Sequence, residues 1–219
     1  MRESTCNTNI KDISEVSECI SGNIPFEYTL QNPGPESREF LKSVTKEYLK
    51  SLNIEKYYDL LCLCIEEIIS NSVKANIKRA YFISNNLDIN NHDDYEKGMK
   101  DFKNNGVGNL KDKALVSQIN EMGLYVKIAF KIVDNCLYIT ARNNSVISTQ
   151  EIERILKKLK LSANKTPEEI FMNSIDQTEG AGLGIIMIKK IMNQISTLED
   201  AFSIRATETE TITELKILA

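Results

Sequence analysis

The chain has 219 residues, of which 42% are hydrophobic and 26% are charged, and its formal net charge is −4. These values are typical of a soluble globular domain that is long enough to bury a core, and they do not favour a general nucleic-acid-binding surface. No apolar run could span a bilayer and residues 1–4 do not begin a signal peptide, so we expect a cytoplasmic protein.

The cysteine and histidine content excludes several metal chemistries. Five cysteines, an odd number, fit reduced thiols, and a single histidine, His92, excludes a multi-histidine metal site. Cys62 and Cys64 resemble a short metal motif, but two residues apart on a helix they point to nearly opposite sides. We therefore expect both to be small core residues, and His92 to be an exposed residue at a helix start.

The N-terminal part of the chain is predicted to contain a polar segment, a strand and a helix. Residues 1–20 form a polar arm, which is either loose or a short docking helix. Residues 24–30 indicate an edge strand, because Pro25 is tolerated at an edge. Residues 32–35 then break the chain, and a helix is expected over about 37–51.

A long helix without Gly or Pro is predicted over 57–79, and it carries two different stripes. Three polar residues, Glu67, Asn71 and Lys74, share one face at spacings of 4 and 3. A carboxylate, an amide and an ammonium group together can orient a hydroxyl, bind Mg²⁺ and contact a phosphate. The alternative is a solvated helix face. The neighbouring stripe is predicted to be buried and consists of Leu61, Ile65, Ile68 and Ser72.

The middle of the chain changes from helical to strand periodicity. Residues 80–123 are predicted as a helical insertion with helices over 93–103 and 110–122. Apolar residues then alternate with a period of two before and after Asp134-Asn135, which predicts an antiparallel hairpin over about 125–142.

After this hairpin the chain is predicted to return to helix and to end in a second hairpin. Asn143-Asn144-Ser145 ends the strand, and Ser148 with Glu151 has the form of a capping box that opens a helix to about residue 160. A polar segment over about 161–179 follows, with a short helix expected near 167–173. The last hairpin is predicted over 202–217.

A glycine-rich turn precedes the last predicted helix. Gly180, Gly182 and Gly184 alternate with Ala181 and Leu183, and helical spacing begins at once with Ile185, Ile188, Met192 and Ile195. Free backbone N–H groups and the helix dipole point at the same place there, and glycine lets a phosphate approach closely. The alternative is a flexible loop before a core helix. No Gly-Lys-Ser/Thr or βαβ unit is present, which excludes a P-loop and a dinucleotide fingerprint.

The order of these motifs resembles the GHKL superfamily of gyrases, histidine kinases, heat-shock chaperones and mismatch-repair ATPases. The resemblance covers about residues 55–217 and rests on Glu67-x-x-x-Asn71 and Gly180-x-Gly-Leu-Gly in the family's order. It implies an α+β fold, a two-layer α/β sandwich with helices on one face of a mixed, mostly antiparallel sheet. One domain over 21–219 would then contain the insertion at about 80–123 and an ATP lid at about 161–179.

The resemblance also implies ATP and Mg²⁺ as cofactors and assigns roles to site residues. Glu67 corresponds to the catalytic general base and Asn71 to the Mg²⁺ ligand, and Lys74 is expected to contact the nucleotide. The residues that correspond to the triphosphate-binding glycine box are Gly180, Gly182, Leu183 and Gly184.

The middle box departs from the family pattern. The family usually has Asp-x-Gly-x-Gly, whose Asp accepts a hydrogen bond from the adenine amino group, whereas this chain has Asn143-Asn144-Ser145 and neither glycine. Asn143 can still accept that bond, but without charge. Because charge-assisted bonds are stronger, we expect weakened adenine binding and poor selectivity for adenine.

Among GHKL proteins, the pattern is most similar to anti-sigma-factor serine kinases and to the partner-switching protein kinases that control biofilm formation. We therefore expect an ATP-dependent Ser/Thr protein kinase that acts on a small regulatory protein, such as an anti-sigma-factor antagonist. One alternative is a degenerate module that binds its partner with or without nucleotide. Another is a detached histidine-kinase domain that acts on a histidine in another protein. No nucleic-acid or membrane partner is expected, and a homodimer is an open alternative.

Overall fold

The computed structural model describes residues 6–7, 12–30, 33–104, 113–162, 169 and 183–219. A short 3-10 helix, Glu55–Tyr57, precedes the longest helix. The other elements, in chain order, are β1 Cys6–Asn7, α1 Ile13–Ser21, β2 Phe26–Leu30, α2 Pro35–Ser51, α3 Tyr58–Ser84, α4 His92–Asn104, α5 Lys113–Glu121, β3 Val126–Val133, β4 Cys136–Asn143, α6 Thr149–Ser162, α7 Leu183–Ile195, β5 Phe202–Ala206 and β6 Thr211–Leu218.

The described strands form one mixed sheet in the order β1-β2-β3-β4-β6-β5. β1 pairs with β2 in parallel, and every other pair is antiparallel. This confirms the predicted α+β class with a mostly antiparallel sheet. The prediction that β2 is an edge strand is wrong, because Cys6 and Asn7 pair with Phe26 and Glu27 outside it. Pro25 precedes the first paired residue of β2, so the missing N–H is not needed by the ladder.

Apolar side chains on one face of the sheet form the core together with helices α1, α2, α3 and α7. Cross-strand partners such as Phe130 and Ile139 face the same side, because their register is fixed by the hairpin between β3 and β4. The predicted stripe on α3 is buried, and so are both Cys62 and Cys64. The most enclosed side chains of this core include Tyr48, Phe26, Phe130, Leu41, Leu49, Leu61, Ile69, Ile128, Leu137 and Ile188.

Local sequence signals explain where the elements begin and end. Asp134 and Asn135 have φ values of 49° and 62°, which is the conformation that a tight hairpin turn between twisted strands requires. α2 begins at Pro35, two residues before its predicted start, because proline at a first helical position has no N–H to leave unsatisfied. α3 extends to Ser84, five residues beyond its predicted end.

The insertion packs on α3 through a second apolar cluster and contacts α6 through Arg154. Phe82, Ile89 and Tyr95 are buried together, and α4 begins at the exposed His92, as predicted. Gly98 allows this packing, because a Cβ there would lie 2.5 Å from Cζ of Phe82. Arg154 of α6 lies 5.0 Å from the ring centroid of Tyr95 and also donates to its hydroxyl at 3.2 Å. The insertion is therefore held against the helix that leads into residues 163–182.

The N-terminal segment also contributes to the core. Of the two alternatives for residues 1–20, residues 13–20 take the helical one, with Val16 and Cys19 of α1 buried, whereas Cys6 and Asn7 form β1. Within the described residues, no helix is both long and apolar enough to cross a membrane. Gly180, Gly182 and the expected short helix at 167–173 lie outside the described residues, apart from Glu169.

Candidate nucleotide site

Glu67 of α3 and Gly184 of α7 bring the first and last motifs together. The half-buried Glu67 side chain lies directly against Gly184, in the first turn of α7. A Cβ on residue 184 would overlap the Glu67 carboxylate and would lie 2.5 Å from its Cγ. The first N–H groups of a helix have no intrahelical acceptor and carry the positive end of the dipole. The carboxylate therefore stands beside an anion-favouring helix start.

Asn71 and Lys74 follow Glu67 along the same helix. Asn71 is half-buried, one turn after Glu67, and Lys74 is exposed, one turn further. Within the described residues, the side chains of Glu67, Asn71 and Lys74 form no hydrogen bond or ion pair. In contrast, the adjacent Glu66 pairs with Arg38 of α2. Polar partners from the described residues therefore do not occupy the carboxylate, the amide or the ammonium group of this stripe.

The middle box lies at the end of β4, where Asn143 is buried at 4% exposure. Its Nδ2 donates to the carbonyl of Ser145 at 3.1 Å. Thr211, which faces Asn143 across the β4–β6 ladder, donates to the same carbonyl at 2.7 Å and accepts from the N–H of Ile147 at 2.8 Å. This arrangement fixes which end of the Asn143 amide donates, and it leaves Oδ1 as the remaining acceptor.

Asn144 and Ser145, which follow Asn143, hold this turn in place. Ser145 Oγ donates to Oδ1 of the buried Asn76 at 2.7 Å, and Asn76 Nδ2 donates to the carbonyl of Tyr125 at 3.2 Å. The Asn144 side chain accepts from the Tyr125 N–H at 2.8 Å and donates to the Gly123 carbonyl at 2.9 Å. The box is thus tied to α3 and to the start of β3.

The helix that follows the box is also anchored to α3. Ser148 and Glu151 form the predicted capping box, in which the Ser148 N–H donates to Glu151 Oε2 at 3.0 Å and the Glu151 N–H donates to Ser148 Oγ at 3.3 Å. The other Glu151 oxygen pairs with Lys78 of α3. Arg79 of α3 donates to the Val146 carbonyl at 3.0 Å, and burial lowers its pKa.

Two polar residues that hold the turn of the candidate site were not identified from the sequence. Asn76 lies five residues after Asn71, on the buried side of α3, and Thr211 begins the last strand. A buried polar residue on an otherwise apolar helix face is the signal that could have found Asn76, because such a group needs a partner. Nothing in the sequence near Thr211 indicates its partner, since Ser145 is 66 residues away.

Comparison with known proteins gives one similarity and no family. The chain is 28% identical over 214 residues, 97% of its length, to an uncharacterized protein of Treponema pallidum (strain Nichols). The chain spans 41% of the length of that relative. No family model matches the chain, and no solved structure matches it.

Proposed function

We propose that this chain binds ATP with Mg²⁺ and acts as a Ser/Thr protein kinase of the GHKL type on a small regulatory partner protein. The observation that carries the proposal is the contact between Glu67 and Gly184. Two motifs that are 117 positions apart in the sequence, each weak alone, meet at the start of one helix. A base beside a phosphate-binding helix start is the arrangement that phosphoryl transfer needs.

The polar stripe of α3 supplies the other groups of the proposed site. Asn71, one turn from Glu67, would bind Mg²⁺ through its amide oxygen, and the metal would neutralise charge on the phosphates. Lys74 would contact the nucleotide from the exposed end of the stripe. Glu67 would then accept the proton of the attacking hydroxyl. Gly180 and Gly182, outside the described residues, would complete the phosphate contacts together with Leu183 and Gly184.

The adenine end of the site would depend on Asn143. Its Nδ2 is engaged by the Ser145 carbonyl, so Oδ1 is the atom that could accept from the adenine amino group. A neutral amide lacks the charge that makes a carboxylate a strong acceptor. We therefore expect only a modest preference for ATP over GTP, and we expect Asn143→Ala to remove it in a competition assay. Strong discrimination that survives this substitution would mean that adenine is recognised elsewhere.

A second candidate function is a partner-binding module without catalysis. The hydrogen bonds of Asn143, Asn144 and Ser145 favour it, because they occupy side-chain groups of the middle box within the protein itself. Such a module would still present the same surfaces to a partner, with nucleotide acting as a regulator or not binding at all.

Isothermal titration with ATP and Mg²⁺ tests the nucleotide proposal. We expect the wild-type protein to bind, and we expect Asn71→Ala to weaken binding about tenfold or more through loss of the metal contact. Asn193→Ala, an exposed asparagine on α7, is the matched control and should leave binding unchanged. Gly182→Val is a second variant that should abolish binding. If the folded wild-type protein binds neither ATP nor ADP, the kinase proposal is overturned in favour of a binding module that does not use nucleotide.

A further inference from the structure

The face of the sheet that does not pack on the helices carries a row of cations. Lys127, Arg142 and Arg205 belong to one transverse row, because Lys127 pairs with Arg142, Arg142 pairs with Ile212, and Ile212 pairs with Arg205. Their neighbours along each strand, such as Ile128, Ala141 and Asn143, are buried on the opposite face, so these three side chains point outward. The cationic row spans β3 to β5.

No acid within the described part of the chain neutralises the cationic row. Its three members form no ion pair with any described residue. Lys127 instead lies 4.9 Å from the ring centroid of Tyr125, and Arg142 has a buried Nε without a hydrogen-bond partner. Glu210, two residues before Ile212, accepts a hydrogen bond from the Tyr125 hydroxyl at 2.8 Å. This carboxylate is therefore engaged with the tyrosine hydroxyl and forms no ion pair with the row.

The neighbouring acids are also committed elsewhere. Two residues further along the strands, Glu214 pairs with Lys216 at 3.3 Å, and Lys216 also pairs with Asp200. Glu27 faces the small Ala129 across the β2–β3 ladder. The cationic row is thus bordered by a second row that carries the carboxylates of Glu27 and Glu214.

The cationic row costs stability in the isolated fold. Adjacent strands are about 4.8 Å apart, and like charges placed directly opposite each other are destabilising. Lys127 and Arg142 are directly opposite, in a chain whose net charge is −4. A ligand that carries negative charge would relieve this repulsion.

We propose that the cationic row is the docking surface for an acidic segment of a partner protein. Charge complementarity calls for an anionic occupant. The adjacent carboxylate row and the negative net charge disfavour a long polyphosphate backbone. Ile212 is the single apolar member of the row and is only 5% exposed. The row therefore presents no apolar side chain that could insert into a lipid surface. The row faces away from the core that holds Asn143, so this docking does not depend on nucleotide binding.

Fluorescence anisotropy with a labelled peptide of alternating Glu and Ser tests the proposal at low salt. We expect the wild-type protein to bind this peptide and not a Gln-Ser peptide of equal length. The combined substitution of Lys127, Arg142 and Arg205 by Gln should weaken binding about fivefold or more, and added salt should do the same. The matched control is a triple variant in which Gln replaces three exposed lysines on or beside α2, namely Lys46, Lys50 and Lys56. It removes as much positive charge as the row variant does.

Each outcome of this experiment supports or overturns the proposal. Retained binding in the control and loss in the row variant support it, whereas equal loss in both would indicate attraction by net charge alone. Absence of wild-type binding would overturn it. Tighter binding of oligo-dT or of phosphatidylserine vesicles that depends on the cationic row would overturn the proposal. It would indicate that the surface binds nucleic acid or membrane and not an acidic protein segment. If the triple variant does not fold, the single variant Arg205→Glu takes its place in the same assay. Arg205 is exposed on the outermost described strand, and we expect this substitution to weaken peptide binding as well.

Discussion

Glu67 occupies the space that a side chain on Gly184 would need. A Cβ at position 184 would overlap Oε1 and Cδ of Glu67, so a residue other than glycine fits only after the carboxylate has moved. The last glycine of the motif is therefore in close steric contact with a side chain of α3, in addition to any role toward a phosphate. This contact couples the two motifs sterically, and the coupling can be measured without a ligand.

A double-mutant cycle tests this contact. We expect Gly184→Ala to stabilise the Glu67→Ala protein by up to about 1 kcal/mol, because alanine favours a helix over glycine and the overlapping atoms are gone. In the wild-type background the gain should be smaller, because Glu67 must be displaced. Chemical denaturation of the four proteins gives the coupling energy. Gly34→Ala is the control, since a Cβ there meets nothing within 4 Å, and its effect should be the same with and without Glu67→Ala. Equal effects of Gly184→Ala in both backgrounds would contradict the contact.

The middle box predicts that Asn143→Asp destabilises this protein, although aspartate is the residue usual in the GHKL family. An ionised aspartate cannot donate to the Ser145 carbonyl, and it would be buried where Asn143 is 4% exposed. We expect a loss of about 1–3 kcal/mol in the free energy of unfolding at neutral pH.

The pH dependence of this variant follows from the same burial. The pKa of the buried Asp would be raised above its unfolded value, so the folded state would bind more protons than the unfolded state between the two values. The loss of stability relative to wild type should therefore grow as the pH rises between these two pKa values, and it should be smaller at lower pH. Urea denaturation of wild type and variant from pH 4 to pH 8 measures this. A pH-independent difference would mean that the substituted carboxylate reaches solvent.

The buried thiol of Cys64 predicts a loss of stability at alkaline pH. Cys64 is fully buried in α3, and burial raises its pKa from 9.0 to about 12. Above pH 9 the thiol ionises in the unfolded chain but not in the folded protein, so the unfolded state binds fewer protons and stability falls as pH rises. This thiol should contribute a slope of about 1.4 kcal/mol per pH unit at most.

The variant Cys64→Ala isolates this contribution. It should be less stable than wild type at pH 8, because a buried group is removed, and the difference should narrow by about 1 kcal/mol near pH 10. Chemical denaturation at both pH values is the measurement. Burial raises the pKa of Cys62 and Cys136 as well, so part of the wild-type slope should persist in the variant. A constant difference across this range would contradict the shift at Cys64.

Local periodicity and capping were sufficient to predict most of the elements. The turn at Asp134 and Asn135, the capping box of Ser148 and Glu151, and the buried stripe of α3 were all identified, because each depends on neighbours within a few residues. The parallel pairing of Cys6 and Asn7 with β2 was missed. A two-residue strand has no periodicity, and its partner lies about twenty residues away in the sequence.

The candidate site was predicted less completely than the fold. Helical spacing alone placed Glu67, Asn71 and Lys74 on one stripe. It did not reveal that Asn143 donates to Ser145, or that Thr211 closes the same turn, since these bonds depend on the register between β4 and β6. Long-range register is set by the packing of the whole sheet, which no short motif encodes.

The last prediction separates a kinase from a binding module. Glu67→Gln keeps the size and hydrogen-bonding capacity of the side chain but removes its basic charge, so we expect it to retain ATP binding and to abolish phosphate transfer to a co-purified partner protein. Glu66→Gln is the matched control, because Glu66 is the adjacent carboxylate of α3 but pairs with Arg38 on the α2 side. It should leave transfer intact and should cost no more than about 1 kcal/mol of stability.

Titration with ATP and a phosphate-transfer assay with labelled ATP measure the two properties in wild type and in both variants. Transfer by Glu67→Gln at the wild-type rate would exclude this carboxylate as the base. A wild-type protein that binds both ATP and the partner without ever transferring phosphate would leave the site as a nucleotide-dependent switch for partner binding. In that case Glu67→Gln should alter partner affinity only in the presence of ATP, because the carboxylate would then act solely through the bound phosphates.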